Sequence, residues 1–409
     1  MAALAAWVVA AAVQAQGTTV AIGGALQDGN AEVWQRLVQL VQPMQPTADD
    51  KACYSLITIA SGEPEEAAAR VAANLARHGG RGVHLRVGPR FAGQDVQALR
   101  ASVADPQWLV QLQRCRGIFM TGGAQARLLD VLQPQGQPTP LLQARREVWR
   151  AGGVVAGTSA GAAVLSEVVF RDAPDPLWVM KGQLRQGQEW DRGFGFVQPG
   201  LIVDQHAVRR GRIARLLPLM QAQRSTLGMA VEENTAAVFQ GTQMQVLGGR
   251  GVLVADTAEA PAPRPGAFNL SGATLHWLES GDRFDLATRT PMPSARKLAG
   301  TPLLPLSPAH RGYLPGAWFY ADMLGDSAIV NAMTRLVDGD QREQRGLAFA
   351  ADPGANDPAP DLAFEWRLWL DAGTRGWLVH NPDAYTLAGV RLDIVPVRLR
   401  RPLYRPVQP

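Results

Sequence analysis

Short apolar runs alternate with longer amphipathic ones through the first part of this chain, and that alternation limits its possible folds more than any other feature. The runs 18-TTVAIGG-24, 54-YSLITIA-60, 82-GVHLRVG-88 and 117-GIFMTGG-123 are interleaved with segments of helical spacing, 31-AEVWQRLVQLV-41, 64-PEEAAARVAANLARHGG-80 and 141-LLQARREVWRAGG-153. Strands and helices in alternation build a parallel sheet covered on both faces. The expected fold class is therefore α/β, a three-layer αβα with a mostly parallel, flavodoxin-like sheet. Such sheets bind ligands at the carboxyl ends of their strands, so the ends of 121-TGG-123 and 201-LIVDQH-206 should meet on one rim. From Leu227 the pattern changes to short β segments, 227-LGMAVEENTAAVFQG-241 and 244-MQVLGGRGVLVAD-256, read as a closing antiparallel element. After the Pro- and Ala-rich loop 257-TAEAPAPRPGAF-268 comes another strand-like piece, 274-TLHWLESGDRFDL-286. Residues 18–288 are expected to form one domain. Residues 289–409 form a small α+β C-terminal extension of unassigned role, with a helix near 317-AWFYADMLGDSAIVNAMTRLV-337 and hairpin-like runs such as 362-LAFEWRLWLDAG-373.

Of the 409 residues, 46% are apolar and 19% charged, the balance of an ordinary globular protein with ample core. Its 40 Lys and Arg against 36 Asp and Glu leave a net charge of +4, which is no nucleic-acid footprint, so no nucleic-acid partner is expected. The opening MAALAAWVVAAAVQAQG is too short to span a bilayer and carries Val13-Gln14-Ala15, which meets the small-residue rule for signal cleavage. Residues 1–15 are expected to be a signal peptide, and the mature chain to be exported, periplasmic or secreted. No other segment reaches transmembrane length without charges, so no stable membrane span is expected. Cys53 and Cys115 each precede an apparent strand on the same edge of the sheet. A disulfide and two unrelated thiols both remain open readings. Nothing points to a metal site.

In 153-GVVAGTSAGAAV-164 an apolar strand runs directly into Gly157-Thr158-Ser159-Ala160-Gly161. The G-x-S-x-G pattern suits a nucleophile elbow, where a sharp strand-to-helix turn exposes the serine above the sheet. A simple helix N-cap by Thr158 or Ser159 is the competing reading of the pentapeptide alone. A serine nucleophile needs a base, and the base an orienting acceptor. Of six histidines, His206 stands where the apolar run 201-LIVDQH-206 reaches the rim, beside Asp204 and Gln205. Glu232 and Glu233 follow another apolar strand, and either could accept the imidazole N–H.

Taken together these segments resemble the cyanophycinases, serine peptidases built on the class I glutamine-amidotransferase-like fold. The matching pieces, in the family's order, are 122-GGAQ-125, 157-GTSAGA-162, 204-DQHAVRRGRIARL-216 and 232-EENTA-236, within a resemblance that runs from about Thr18 to about Leu286. It implies Ser159 as nucleophile, His206 as base and Glu233 as orienting carboxylate. It further implies the N–H groups of Gly123 and Ala160 as an oxyanion hole, and Gln125, Asp204, Gln205, Arg210, Arg212 and Arg215 as substrate contacts. No cofactor is implied. The implied partner is a peptide or polymer of the Asp-Arg type, cyanophycin, cleaved by an exopeptidase through an acyl-enzyme to β-Asp-Arg dipeptides; a homodimer is compatible with this. Ala207 stands where an aromatic is usual, Glu232 replaces an Asp and Ala124 a polar residue, changes that bear on substrate rather than triad. Guanidinium forks suit the free carboxylates of such a polymer. Steps of two and three residues nevertheless spread Arg210, Arg212 and Arg215 around a helix.

Two rival readings are retained. An α/β-hydrolase esterase would use Ser159, Asp204 and His276 in that order, with 78-HGG-80 as oxyanion loop, although that HGG reads as a helix C-cap. An inactive binding protein would keep the elbow only as scaffold.

Overall fold

The computed structural model describes residues 17–42, 52–93, 95–172, 174–405 and 407; the expected signal peptide lies outside the described residues. Strands β1 (Thr18–Ile22), β2 (Ala52–Ile57), β3 (Gly80–Leu85), β4 (Gly117–Met120) and β5 (Val154–Thr158) lie parallel in the order β1-β5-β4-β2-β3. Their side chains divide between two cores, as a pleat requires. Val20, Ile22, Phe119, Val154 and Ala156 pack with Trp34, Leu37 and Val71 of the helices Ala31–Leu40 and Pro64–Arg77. Ala21, Ile118, Met120 and Val155 pack with Leu112, Leu128 and Leu141 of the helices Pro106–Arg114, Gln125–Leu132 and Pro140–Arg150. Both faces of β1, β2, β4 and β5 are thus buried almost throughout, which is why these runs read as continuously apolar, whereas β3 at the sheet edge is only partly covered. The three-layer α/β arrangement is the one the alternation predicts.

Further along come a short antiparallel hairpin, β6 (Val168–Phe170) with β7 (Trp190–Arg192), and the strands β8 (Leu201–Gln205), β9 (Leu227–Val231), β10 (Thr235–Gln240), β11 (Gln243–Gly248), β12 (Gly251–Asp256), β13 (Leu270–Glu279), β14 (Arg283–Asp285) and β15 (Thr290–Met292). Strand β10 joins β1 antiparallel, and β11, β14 and β15 extend that first sheet. A second sheet begins with β8 parallel to β9 and continues antiparallel through β12 and β13. The C-terminal strands Ala384–Arg398, Leu362–Trp369 and Glu343–Ala348 add to it in turn. The run ending in His206 therefore belongs to a different sheet from the elbow. Its end still reaches the same rim, because the His206 N–H donates to the Gly23 carbonyl at 2.9 Å, just past the end of β1.

The helix expected across 317–337 is confined to Ala328–Val337. Phe319–Tyr320 is extended and pairs with Arg345–Gly346, and the Asp322 carboxylate accepts from the Leu324 N–H, a local bond that competes with helix. Ser327, at φ 62°, then starts the helix from a left-handed conformation.

Cys53 of β2 and Cys115, just ahead of β4, are joined by a disulfide, 62 residues apart in sequence, and both are buried. β2 and β4 are neighbours, which brings the two residues together at the edge away from the rim. Closing a loop of that length stabilises the fold by about 2–4 kcal/mol. Replacing both cysteines with alanine should lower the urea midpoint accordingly while the wild type shows the same loss on reduction. Identical midpoints under reducing and oxidising conditions would remove the disulfide from the account.

Candidate active site

Ser159 sits at φ 51°, ψ −115°, a strained conformation for a residue with a side chain, at the junction of β5 and the short helix Ala160–Ala163. The glycines around it explain how that turn is tolerated. A Cβ on Gly157 would lie 2.0 Å from the Gly161 carbonyl oxygen, and one on Gly161 would lie 2.3 Å from the Met120 carbonyl oxygen. The strand and the returning helix therefore touch backbone to backbone, and the pattern found in the sequence is a packing requirement. The Ser159 N–H is anchored on the Ile22 carbonyl at 2.9 Å, fixing the turn to β1. Ser159 does not cap the helix with its side chain. Its Oγ instead lies 2.9 Å from His206 Nε2.

His206, Glu232 and Glu233 follow β8 and β9, whose ends lie side by side. His206 Nδ1 is 2.5 Å from Glu233 Oε1. With Nδ1 donating to that carboxylate, Nε2 is left as the acceptor for the serine hydroxyl. Burial pulls the imidazole down to about 4; the Glu233 hydrogen bond opposes that shift, and the charges of Arg210 and Arg212 reinforce it. The ring is therefore neutral near neutral pH, as a proton acceptor must be. Glu232 is fully buried and acts on the backbone instead. Its Oε2 accepts from the N–H groups of Val208 and Arg209 and so holds the turn that carries His206. Of the two glutamates left open by the sequence, Glu233 meets the histidine.

Near Ser159 the N–H groups of Gly123 and Ala160 have no hydrogen-bond partner among the described residues. Gly123 has φ 136°, and a Cβ there would lie 2.0 Å from the Ala60 carbonyl oxygen. Two free donors flanking a serine can hold an oxyanion. A small pocket of about 190 Å³ opens beside Ser159, walled by Leu26, Trp34, Val71 and Phe119 with Arg70 at its edge. Arg70 is paired with Asp28 at 2.8 Å.

The six residues assigned to substrate contact fare differently. Asp204 and Arg215 form a bidentate pair, with Nε and Nη2 each 2.7 Å from a carboxylate oxygen, and both are almost wholly buried. The Arg215 guanidinium also lies over the Phe170 ring, 4.3 Å from its centre. This corrects their assignment: the helix Ile213–Gln223 folds Arg215 inward, and the two side chains are buried against each other, away from an incoming substrate. Gln125 donates to the Asp172 carbonyl, and Arg212 to the Gln205 carbonyl, both from buried positions. Gln205 keeps a buried, unpartnered Oε1. Only Arg210 of the set is largely exposed, 3.8 Å from Glu233.

Sequence reasoning missed Arg209, which lies 3.2 Å from Glu233 Oε2, because nothing in a run of arginines says which one turns toward the site. It also missed Gly24, where a Cβ would come within 2.3 Å of the His206 ring. The signal was present as the glycine pair ending 18-TTVAIGG-24. The esterase arrangement does not form: Asp204 is spent on Arg215, and His276 is buried within β13, accepting from the Gly389 N–H and packed edge-on to Phe284. His78 closes the helix Pro64–Arg77 through its backbone and forms no oxyanion loop.

Comparison with known proteins gives these residues a context. The profile of "Peptidase family S51" matches residues 87–247. A cyanophycinase of Synechococcus elongatus is 36% identical over 203 residues, covering 46% of this chain and 58% of the relative, so the chain spans little more than half the length of that protein. A cyanophycinase of Trichormus variabilis is 32% identical over 261 residues, covering 61% of this chain and 80% of the relative. The crystal structure of a peptidase from an acI-B1 Actinobacterium superposes with a TM-score of 0.48 at 20% identity, covering 66% of this chain and 98% of that one. With identity sustained over four-fifths of the Trichormus protein and the profile spanning the elbow, His206 and Glu233, the chain belongs to peptidase family S51, the family of the cyanophycinases.

Proposed function

We propose that this protein is a serine-type exopeptidase that hydrolyses cyanophycin, or a closely related isoaspartyl polymer, to β-Asp-Arg dipeptides. The observation that carries the reading is the continuous hydrogen-bonded line from Ser159 Oγ through His206 to Glu233. In the reaction, His206 Nε2 takes the hydroxyl proton as Oγ attacks the scissile carbonyl, and Glu233 stabilises the imidazolium that forms. The N–H groups of Gly123 and Ala160 receive the developing oxyanion. Collapse of the tetrahedral species passes the proton from His206 to the departing amine and leaves an acyl-serine, which water, deprotonated by the same histidine, then hydrolyses. Arg210, the one exposed member of the six, is left to engage a substrate carboxylate, while Arg212 holds the Gln205 carbonyl beneath the histidine. The test is incubation of the mature protein with cyanophycin and identification of products. Release of free β-Asp-Arg supports the reading, and an unchanged polymer rejects it.

The electrostatics of the imidazole give a signed expectation. Arg210 is a cation beside His206 and disfavours its protonated form. Arg210→Ala should move the acidic limb of kcat/KM from near pH 4 to higher pH, toward the ordinary histidine range. Removing the negative charge with Glu233→Gln should move it the opposite way. A limb that stays put in both variants would mean another group titrates there. Export is proposed as well, supported by the disulfide, which persists in oxidising compartments; amino-terminal sequencing of protein from the native host tests it.

A further inference from the structure

A second concave surface lies outside the pocket beside Ser159. Between the helix Pro140–Arg150 and the β6–β7 hairpin is a cleft of about 700 Å³ lined by Arg146, Arg150 and Arg192, the half-buried indoles of Trp149 and Trp190, and Glu167. Arg150 ends the helix that leads into β5, whereas Ser159 follows the last residue of that strand. Strand β5 thus lies between Arg150 and Ser159 in the chain, and no residue lining the cleft also lines the pocket beside Ser159.

The arginines here are unlike their neighbours. Arg171 and Arg185, close by in the chain, are paired with Asp130, Asp191 and Glu189. Arg146, Arg150 and Arg192 have no carboxylate within ion-pair distance among the described residues, and Arg146 makes a single bond, to the Phe194 carbonyl at 3.2 Å. Burial, and then the charge of Arg150, hold the Arg146 guanidinium below the ordinary arginine value. Three guanidiniums against one carboxylate give the cleft a net positive charge, and concavity focuses that field on whatever enters. Guanidiniums bind carboxylates as forks, and indole faces accept flat cations.

We infer that this cleft is a non-catalytic binding site for a linear polymer bearing carboxylates, which holds the chain while one end is processed at Ser159. That the polymer is the Asp-Arg substrate rests on the function proposed above. Such a polymer carries a free carboxylate and a guanidinium on every pendant arginine; the three arginines suit the carboxylates, and Trp149, Trp190 and Glu167 suit the guanidiniums.

The test uses the full chain with Ser159→Ala, which leaves polymer intact, and measures binding of soluble poly-L-aspartate and of cyanophycin by tryptophan fluorescence and co-sedimentation. Saturable binding of both is expected, weakened by salt and at least about tenfold weaker when Arg150→Glu and Arg192→Glu are added. In the active protein the same double variant should raise KM for the polymer about tenfold and leave kcat/KM for the Asp-Arg dimer unchanged. If the wild type cleaves no Asp-Arg substrate, the proposed function fails while poly-L-aspartate binding still decides the cleft. Binding that is absent, or equal with and without the two changes, overturns the inference. Loss of oligothymidylate binding in the variants without any polyaspartate binding also overturns it, by making the ligand a nucleic acid.

Discussion

Ser159→Ala should lower kcat by about 10⁴- to 10⁶-fold, as removal of a triad nucleophile does in serine peptidases, with the thermal midpoint unchanged. The stability half follows from the geometry: the side chain's hydrogen bond runs to His206, and the turn itself is held by the Ser159 N–H on Ile22 and by the contact of Gly157 with Gly161. His206→Ala should be as damaging, because it removes the proton acceptor. Glu233→Gln should cost less than either, since a serine and a neutral imidazole remain in place, though the Nδ1–H then faces an amide that can turn its own donors inward. Residual activity comparable in the two alanine variants would mark the triad members as acting together, their effects far from additive. Ser159→Ala within tenfold of wild type on cyanophycin would reject the nucleophile. A lethal His276→Ala alongside a harmless Glu233→Gln would restore the esterase arrangement.

The sequence made some of this site legible for a definite reason. The turn at Ser159 cannot be built without small residues at 157 and 161, so its geometry is written in residue identity. The central strands β1, β4 and β5 of the first sheet are buried on both faces and stand out as apolar runs. The partition into two sheets was not legible, because β8 and β9 look the same whether they join the first sheet or a second; the choice is made by their long-range pairing with β12, β13 and the C-terminal strands. The arginines after His206 were misjudged for a related reason. Spacing says that the three cannot all share one helical face, but only Arg215 lies within the helix Ile213–Gln223 while Arg210 and Arg212 precede it, and spacing does not say which of them meets the core. That depended on Asp204, which points from β8 toward the helix Ile213–Gln223 and captures Arg215 there.

That captured pair carries the second large effect. Arg215→Ala should destabilise the fold by about 3–5 kcal/mol, because it leaves the Asp204 carboxylate buried without its partner. The loss includes the bidentate bond and the packing of the guanidinium over Phe170. Asp204→Ala strands the opposite charge and should cost a similar amount. Changing both together to apolar residues, Asp204→Leu with Arg215→Met, should recover much of the loss, since the penalty belongs to the unpaired charge rather than to the absence of the pair. Burial alone would raise the Asp204 carboxyl, but the charge and hydrogen bonds of Arg215 prevail and hold it below the ordinary value. The stability it contributes is therefore complete above the ordinary carboxyl range, about pH 4, and drains away as pH falls below it. The acid-unfolding profile of the doubly apolar variant should lack that component. A substrate contact would behave differently: each single variant would keep the wild-type urea midpoint, and KM would rise with little change in folding. Measuring urea midpoints and KM on the same preparations separates the two, and wild-type midpoints in both single variants would return Asp204 and Arg215 to the binding site.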